Sequence, residues 1–329
     1  MASQPPSSET DADFARLAEP FRHELRAHCY RMLGSMEEAE DALQETYLRA
    51  WRAYARFEAR SSLRVWMYRI ATNVCLTALQ HAERRFLPSG LGSASEHPGE
   101  DPSGTGGPNT WLEPIPDALI APESEDPSVV AQTRAGVRLA LIASLQHLPA
   151  RQRAVVILRD VIELPAAEVA EMLDTSTTAI KSMLQRARAR LAQVSPRIED
   201  LAEPSEAQTV ALLNQYIAAF EQGDLSLLSE ALHTDAILEM TSSGTWFAGK
   251  HNCLTFIQRF LDTAGVYRML PTRANGQPAV AAYRRAPDGL QRAFALVVLA
   301  PATYGIARIT LFHDTELFTR FGFPPVIPA

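Results

Sequence analysis

The segment Leu164–Leu191, LPAAEVAEMLDTSTTAIKSMLQRARARL, constrains this chain more than any other. Val169, Met172 and Leu173 recur at helical spacing, and a polar turn, Asp174-Thr175-Ser176, follows them. Ile180, Leu184, Ala187 and Leu191 then mark the apolar stripe of a second helix. The remaining faces of that helix carry Lys181, Ser182, Gln185, Arg186, Arg188 and Arg190, with no acidic residue from Thr177 to Arg190. Two short helices joined by a tight turn, the second of them basic, read as a helix-turn-helix whose second helix suits a major groove. Ser176 is placed to cap that helix, its hydroxyl accepting from an orphan N–H of the first turn. A solvated basic helix in an all-α bundle is the plainer alternative.

The formal charge of the 329-residue chain is −7, the wrong sign for a nucleic-acid binder until it is resolved along the sequence. From Val129 to Arg197 the basic residues are Arg134, Arg138, Arg151, Arg153, Arg159, Lys181, Arg186, Arg188, Arg190 and Arg197. The acidic ones are Asp160, Glu163, Glu168, Glu171 and Asp174, half as many. Local charge sets the field a phosphate backbone meets. Cys29, Cys75 and Cys253 lie far apart in no metal-ligand spacing, which argues for a reducing compartment, no disulfide framework and no zinc site, and no metal or other cofactor is expected. The N-terminus, MASQPPSSETDAD, lacks a basic and then apolar leader, and no apolar run reaches the length of a membrane span. A cytoplasmic protein without membrane contact is expected.

Composition divides the chain. Residues 1–13 read as disordered and 14–86 as a helical domain. Within it Ser35 and Glu38 form a capping box ahead of a helix that buries Leu43, Tyr47, Ala50, Trp51 and Tyr54. A further helix places Leu63, Trp66, Met67, Ile70 and Val74 on one face, with Trp66 read as core. Residues 87–128, rich in Pro, Gly, Ser and acidic residues, read as a flexible linker interrupted by an island, Trp111–Asp117, that reads as a docking segment. Helices return over 129–195, with Pro149 at a helix start. Residues 196–204 form a short second linker. From 205 to 329 two helices, Val210–Phe220 and Leu225–Leu232, precede strands at Ala236–Met240, Val280–Tyr283, Ala293–Leu299 and Ile306–Phe312, with turns at Asn275-Gly276 and Pro287–Gly289. Helices followed by a run of antiparallel strands describe an α+β domain.

Two helical blocks with a linker between them, the second a helix-turn-helix, resemble the extracytoplasmic-function (ECF) sigma factors of bacterial RNA polymerase. Asp41–Thr46 with Leu48–Trp51 resembles the family's polymerase-binding helix, and Trp66–Asn73 its promoter-melting helix. Leu148–Arg153 with Ile180–Arg188 resembles its upstream-element domain. The tail resembles the SnoaL-like, nuclear-transport-factor-like domain of some such factors through Ala219–Asp224, Trp246–Lys250, Asn275–Ala279 and Phe321–Pro324. Trp111–Pro114 is similar to a linker motif of these extended factors, whereas Thr241–Lys250 stands where one group has a glycine-rich motif. The expected architecture is thus multidomain: two all-α sigma domains, then an α+β SnoaL-like cone.

The resemblance implies that the first domain binds the polymerase clamp and opens the −10 element. Asp41, Gln44, Glu45 and Leu48 lie off the buried face and suit a mixed polar and apolar interface with RNA polymerase core. Strand opening needs a pocket for an unstacked base and cations along the backbone. Phe57, Arg60 and Ser61 of the 55–62 loop are read as that pocket, and Arg64, Arg69 and Asn73 as the strand's track. For the −35 element, Ser176, Thr177, Thr178, Lys181, Ser182, Gln185 and Arg186 are read as contacts, with Arg188 on phosphate. In the tail, isomerase chemistry needs a carboxylate or His in an apolar pocket, and the candidates are His233, Asp235, Glu239 and His251. Each also has a plain structural reading, so regulation of the sigma domains, with no enzymatic activity, is the favoured role. The partners are polymerase core, promoter DNA and a small-molecule ligand of the tail. A DNA-binding regulator whose tail senses a small molecule is the alternative, and a pocket enzyme fused to a DNA-binding module is the third.

Overall fold

In a computed structural model the described residues are 8–80, 84–102, 111–121, 132, 134–194, 204–261 and 265–328. The chain forms two compact units: Met1–Arg85 with Ala118–Ser195, and Phe86–Asp117 with Pro196–Ala329.

The first unit is helical. Helix α1 (Ser8–Ala18) begins inside the stretch expected to be disordered. Helix α2 (Arg22–Leu33) stops at Gly34, whose φ of 74° lets its N–H reach the Tyr30 carbonyl at 2.8 Å. Ser35 then caps helix α3 (Met36–Tyr54), accepting from Glu38 N–H at 3.3 Å. The Glu38 carboxylate pairs with Arg85 at 3.0 Å. Helix α3 turns Ala39, Ala42, Leu43, Thr46 and Ala50 inward. Trp51, expected inside, is 37% exposed, because it falls on the same side as Leu48, one turn before it. Helix α4 (Leu63–Ala78) is rotated from the sequence expectation. Tyr68 is fully buried with Met67, Ala71 and Cys75, while Trp66 is half-buried against Phe57, ring centroids 4.9 Å apart.

The later part of this unit holds α5 (Leu139–Gln146), α6 (Ala150–Val156), which runs on as a π turn over Ile157–Val161, α7 (Ala166–Met172) and α8 (Thr177–Val194). Pro149 and Pro165 occupy the N-caps of α6 and α7, where a missing N–H costs nothing. Arg153, counted above among the DNA-facing cations, is 2% exposed. Its guanidinium donates to the Met32 carbonyl, to Gln146 Oε1 at 2.7 Å and to the Gln146 carbonyl at 3.2 Å. Those carbonyls end α2 and α5, so one cation satisfies orphan acceptors at two negative helix ends. Burial nevertheless lowers its pKa to about 10. Arg153→Ala is expected to cost about 2–3 kcal/mol by leaving buried acceptors unpaired, read as a shift in urea midpoint at unchanged slope. A loss below half a kcal/mol would refute this role. Nearby, His28 is fully buried, with Nε2 3.0 Å from Thr72 Oγ1 and its ring edge-on to Tyr68.

In the second unit, helix α9 (Glu206–Gln222) opens with a capping box, Ser205 with Gln208, and closes at Gly223. Helix α10 (Leu225–Ala231) leads into strand β1 (Leu232–Met240). Next come β2 (Thr245–Ala248), helix α11 (Lys250–Gln258), β3 (Tyr267–Ala274), β4 (Gln277–Arg285), β5 (Gln291–Ala302), β6 (Gly305–Phe312), helix α12 (Glu316–Arg320) and β7 (Val326–Ile327). The sheet order is β2-β1-β6-β5-β4-β3, with β7 on β5. All pairs are antiparallel except β1 with β6, a departure from the wholly antiparallel run expected. Asn275, at φ 57°, and Gly276 make the tight β3–β4 turn that their sequence announces. Helices α9, α10 and α11 cover one face over a core that includes Tyr216, Phe220, Leu238, Phe247, Phe256 and Val297.

Residues 86–102, expected from 87 onward to be part of a flexible tether, and 111–117, the island expected to dock, both pack on this sheet domain. Leu87, Leu112 and Ile115 are buried, which supplies the apolar burial that composition hid. Leu112 N–H donates to Phe86 O at 3.0 Å, and Ser89 N–H to Glu239 Oε1 at 3.1 Å. Trp246 Nε1 donates to Gly92 O at 3.0 Å. The Trp111 island does dock. A Cβ on Gly244, at φ 67°, would stand 3.1–3.2 Å from the Trp111 ring, so glycine serves both the turn and the close approach. Ile115 exchanges two 3.0 Å bonds with Asn275, and Gly276 N–H donates to Asp117 at 2.7 Å. Residues 103–110 and 122–128 of the expected linker, and 196–203 of the second one, lie outside the described residues.

Candidate nucleic-acid interface

Helix α7 and helix α8 form the helix-turn-helix. Val169, Met172, Leu173, Ile180 and Ala187 are buried and fix the packing of the pair. Asp174, at φ 48°, turns the chain between them. Arg151 of α6 donates to the Leu173 carbonyl at 2.6 Å and so closes the C-terminal end of α7. Ser176 caps α8, accepting from Ala179 N–H at 3.1 Å. Its hydroxyl is therefore already engaged in shaping the helix.

Ser176, Thr177, Thr178, Lys181, Ser182, Gln185, Arg186 and Arg188 are all exposed. Thr178, Lys181, Ser182 and Gln185 stand at helical spacing on one face, with Arg186 beside them. Arg188 makes a two-bond pair with Asp160 at 2.6 and 2.9 Å, and Arg190 donates to the His147 carbonyl at 2.9 Å. Arg159 donates to the Leu164 carbonyl. Much of the basic surplus counted from sequence thus serves the fold. The cations left facing outward from the recognition helix are chiefly Lys181 and Arg186.

In the first helical block, Asp41, Gln44 and Leu48 are exposed on α3, and Glu45 is half-buried and paired with Arg49 at 2.6 Å. Leu48 is 47% exposed and Trp51 lies next to it. The apolar part of this face therefore includes the Trp51 ring as well as Leu48, and is larger than the sequence pattern predicts. Phe57 is half-buried in a ring series, stacked on Tyr54 at 6.3 Å and against Trp66 at 4.9 Å. Arg60 is exposed and pairs with Glu58 at 2.6 Å, and Ser61 is half-buried beside the Ser62 cap of α4. Arg64 grips Glu24 through three bonds of 2.8–3.0 Å and lies over the Tyr68 ring, which ties it to the fold. Arg69 and Asn73 are exposed on α4, with Arg69 3.9 Å from Glu171. Phe57, Arg60 and Ser61 cluster at the start of α4, and Arg69 and Asn73 continue along it.

The tail candidates do not gather. His233 and Asp235 bond to each other's neighbourhood at the start of β1, Asp235 N–H donating to His233 Nδ1 at 3.1 Å. His251 is exposed on α11. Glu239 is fully buried and bound to Arg308 at 3.0 Å and to Thr310 Oγ1 at 3.2 Å, on the sheet face opposite Leu238 and Met240. Among the described residues no group of His, Cys, Asp or Glu is arranged to hold a metal ion, and no helix is long and apolar enough to cross a membrane. The three cysteines are free and buried.

Comparison with known proteins matches this arrangement. Residues 17–85 match the Sigma-70 region 2 family, and residues 138–191 match Sigma-70, region 4. The ECF RNA polymerase sigma factor SigG of Mycobacterium tuberculosis is 46% identical over 97% of this chain and 86% of its own length. SigJ of the same organism is 29% identical over 69% of this chain and 64% of its own length. The crystal structure of SigJ superposes with a TM-score of 0.61 at 20% identity, covering 96% of this chain and 99% of that one, so the fold is shared through the sheet domain. With two sigma domains in order and close identity along nearly the whole chain, the protein belongs to the ECF sigma factors of RNA polymerase.

Proposed function

We propose that the chain brings RNA polymerase core to specific promoters, through α3 on the polymerase and α4 and α8 on DNA, and that its sheet domain modulates that activity without catalysis. The observation that carries the first part is the exposed Thr178–Arg186 face of a capped recognition helix, together with the exposed Leu48 and Trp51 on α3. A regulator that only binds DNA has no use for a second, partly apolar face of this kind. The second part rests on the bonds that join residues 86–117 to the sheet domain. The segment between the two sigma blocks is thereby held by the tail. A small-molecule ligand of the tail belongs to this reading.

The experiment is transcription by purified core polymerase from a pool of genomic promoter fragments. Full-length protein is expected to give specific start sites, and a chain ending at Ala202 to change their yield. Arg186→Ala is expected to weaken upstream-element binding by about 1–3 kcal/mol, if measured by fluorescence anisotropy on a selected promoter. No specific initiation despite DNA binding would favour the ligand-sensing regulator instead.

A further inference from the structure

The sheet domain contains a cavity of about 430 Å3 between α9, α11 and the helix-covered face of the sheet. Protein interiors rarely leave a gap much larger than one water, since every unfilled wall forfeits packing energy. An opening of this size is in the range of pockets that hold drug-sized ligands.

Its walls are a run of aromatic rings. Tyr216 meets Phe220 at 4.8 Å, Phe220 meets Tyr267 at 5.7 Å, Tyr267 meets Phe294 at 5.7 Å, and Phe294 meets His313 at 5.2 Å. Leu238, Met240 and Leu311 supply aliphatic surface from adjacent strands. A polar pair stands among these residues, Ser242 Oγ lying 3.1 Å from His313 Nδ1. Among the described residues, no Asp, Glu, Lys or Arg lines the cavity. Burial also lowers the pKa of His313, so its imidazole is neutral at pH 7. Among the described lining residues a charged guest would find no ionised partner to replace its hydration. The strand alternation that turns Leu238 and Met240 into the cavity sends Glu239 to the other face, away from the pocket.

We propose that this cavity binds an uncharged, ring-containing small molecule that presents one hydroxyl or carbonyl to the Ser242–His313 pair. Pro102, at the end of the 86–102 segment, forms part of the wall, and Arg259 fastens that segment through the Glu100 carbonyl at 2.6 Å and the Asp101 carboxylate. The guest therefore touches the segment that joins the sigma blocks. This consequence rests on the regulatory reading above, whereas the binding itself does not.

The test titrates the full-length protein with N-phenyl-1-naphthylamine, a neutral naphthalene fluorophore. Saturable binding of one molecule per chain with blue-shifted emission is expected. Neutral 2-naphthol should displace it at least tenfold better than 2-naphthoate or 1-naphthylmethylammonium. Ser243→Trp, at the cavity rim, should weaken probe binding at least tenfold, and Tyr304→Trp, on an exposed turn, should leave it unchanged. Absence of saturable binding, equal displacement by neutral and charged competitors, or an unaffected S243W would overturn the proposal. The displacement series on the unaltered chain decides the matter even if S243W does not fold. Transcription is not the readout, so failure here is separate from failure of the promoter assignment.

Discussion

Glu239→Ala is expected to destabilise the sheet domain by about 3–5 kcal/mol, the cost of leaving a buried partner charge uncompensated. Glu239 is 0% exposed, and the Arg308 side chain that faces it at 3.0 Å is 6% exposed. One carboxylate oxygen also accepts from Ser89 N–H, and the other from Thr310 Oγ1. Both carboxylate oxygens are therefore met by donors inside the protein, the condition under which a buried ion pair is tolerable. Alanine removes the anion and strands the guanidinium. Replacing both Glu239 and Arg308 with leucine should cost less than the sum of the single changes, since no lone charge remains. Urea denaturation of the full chain reads the loss, and limited proteolysis within residues 86–102 reads the release of Ser89. A single-variant loss under 1 kcal/mol would show that water reaches the pair.

Acidification from pH 7 to pH 4.5 is expected to remove about 2.5 kcal/mol of stability from the helical unit through His28 alone. Burial, reinforced by the nearby Arg31 cation, pushes the His28 pKa down to about 3. In the unfolded chain the same imidazole takes a proton near 6.5. Between those values the unfolded state binds more protons, so stability rises with pH across the window and is lost as pH falls through 6.5 toward 3. Other groups titrate in the same range, and the variant His28→Gln isolates this one. Denaturation midpoints of both proteins at pH 7, 5.5 and 4.5 should show a steeper acid loss in the unaltered chain. Parallel losses would mean that His28 ionises without opening its site.

The recognition helix was the most legible part of the sequence because its signals are local: a cap at Ser176, a buried stripe and a basic remainder. The four expected strands and the Asn275-Gly276 turn were legible for the same reason. What escaped was set by distant partners. Arg153 and Arg64 read as surface cations, yet one ends two helices and the other grips Glu24. Trp51 and Trp66 read as core, but the apolar stripes of α3 and α4 are narrow enough that a small rotation put Trp51 outside and Tyr68 inside. The strands β2 and β3 lack clean alternation in sequence, and β3 is an edge strand with a proline. The linker misled most. Its Pro, Gly and Ser content is that of a flexible tether, and only the Trp111 island announces a docking segment, but Leu87 is buried too and Ser89 and Gly92 bond to the sheet domain. Composition reports what a segment can bury by itself, not what another part of the chain offers it. The proposed site residues follow the same division: those on α8 stand outward as expected, whereas Arg64 and Arg188 arrive already paired.

The chain leaves its helical unit at Arg85, returns at Ala118 and leaves again after Ser195. A ribosome reads this order in time. Residues 86–102 and 111–117 emerge before the second sigma block and before every strand they pack on. With translation at about 5–20 residues per second, the wait until β6 is complete is roughly 10–40 s. During that interval Leu112 and Ile115 have no sheet to cover them, and the neighbouring polar and acidic stretch keeps the nascent segment soluble. The composition that disguised the segment as a tether thus suits the one period in which it is one.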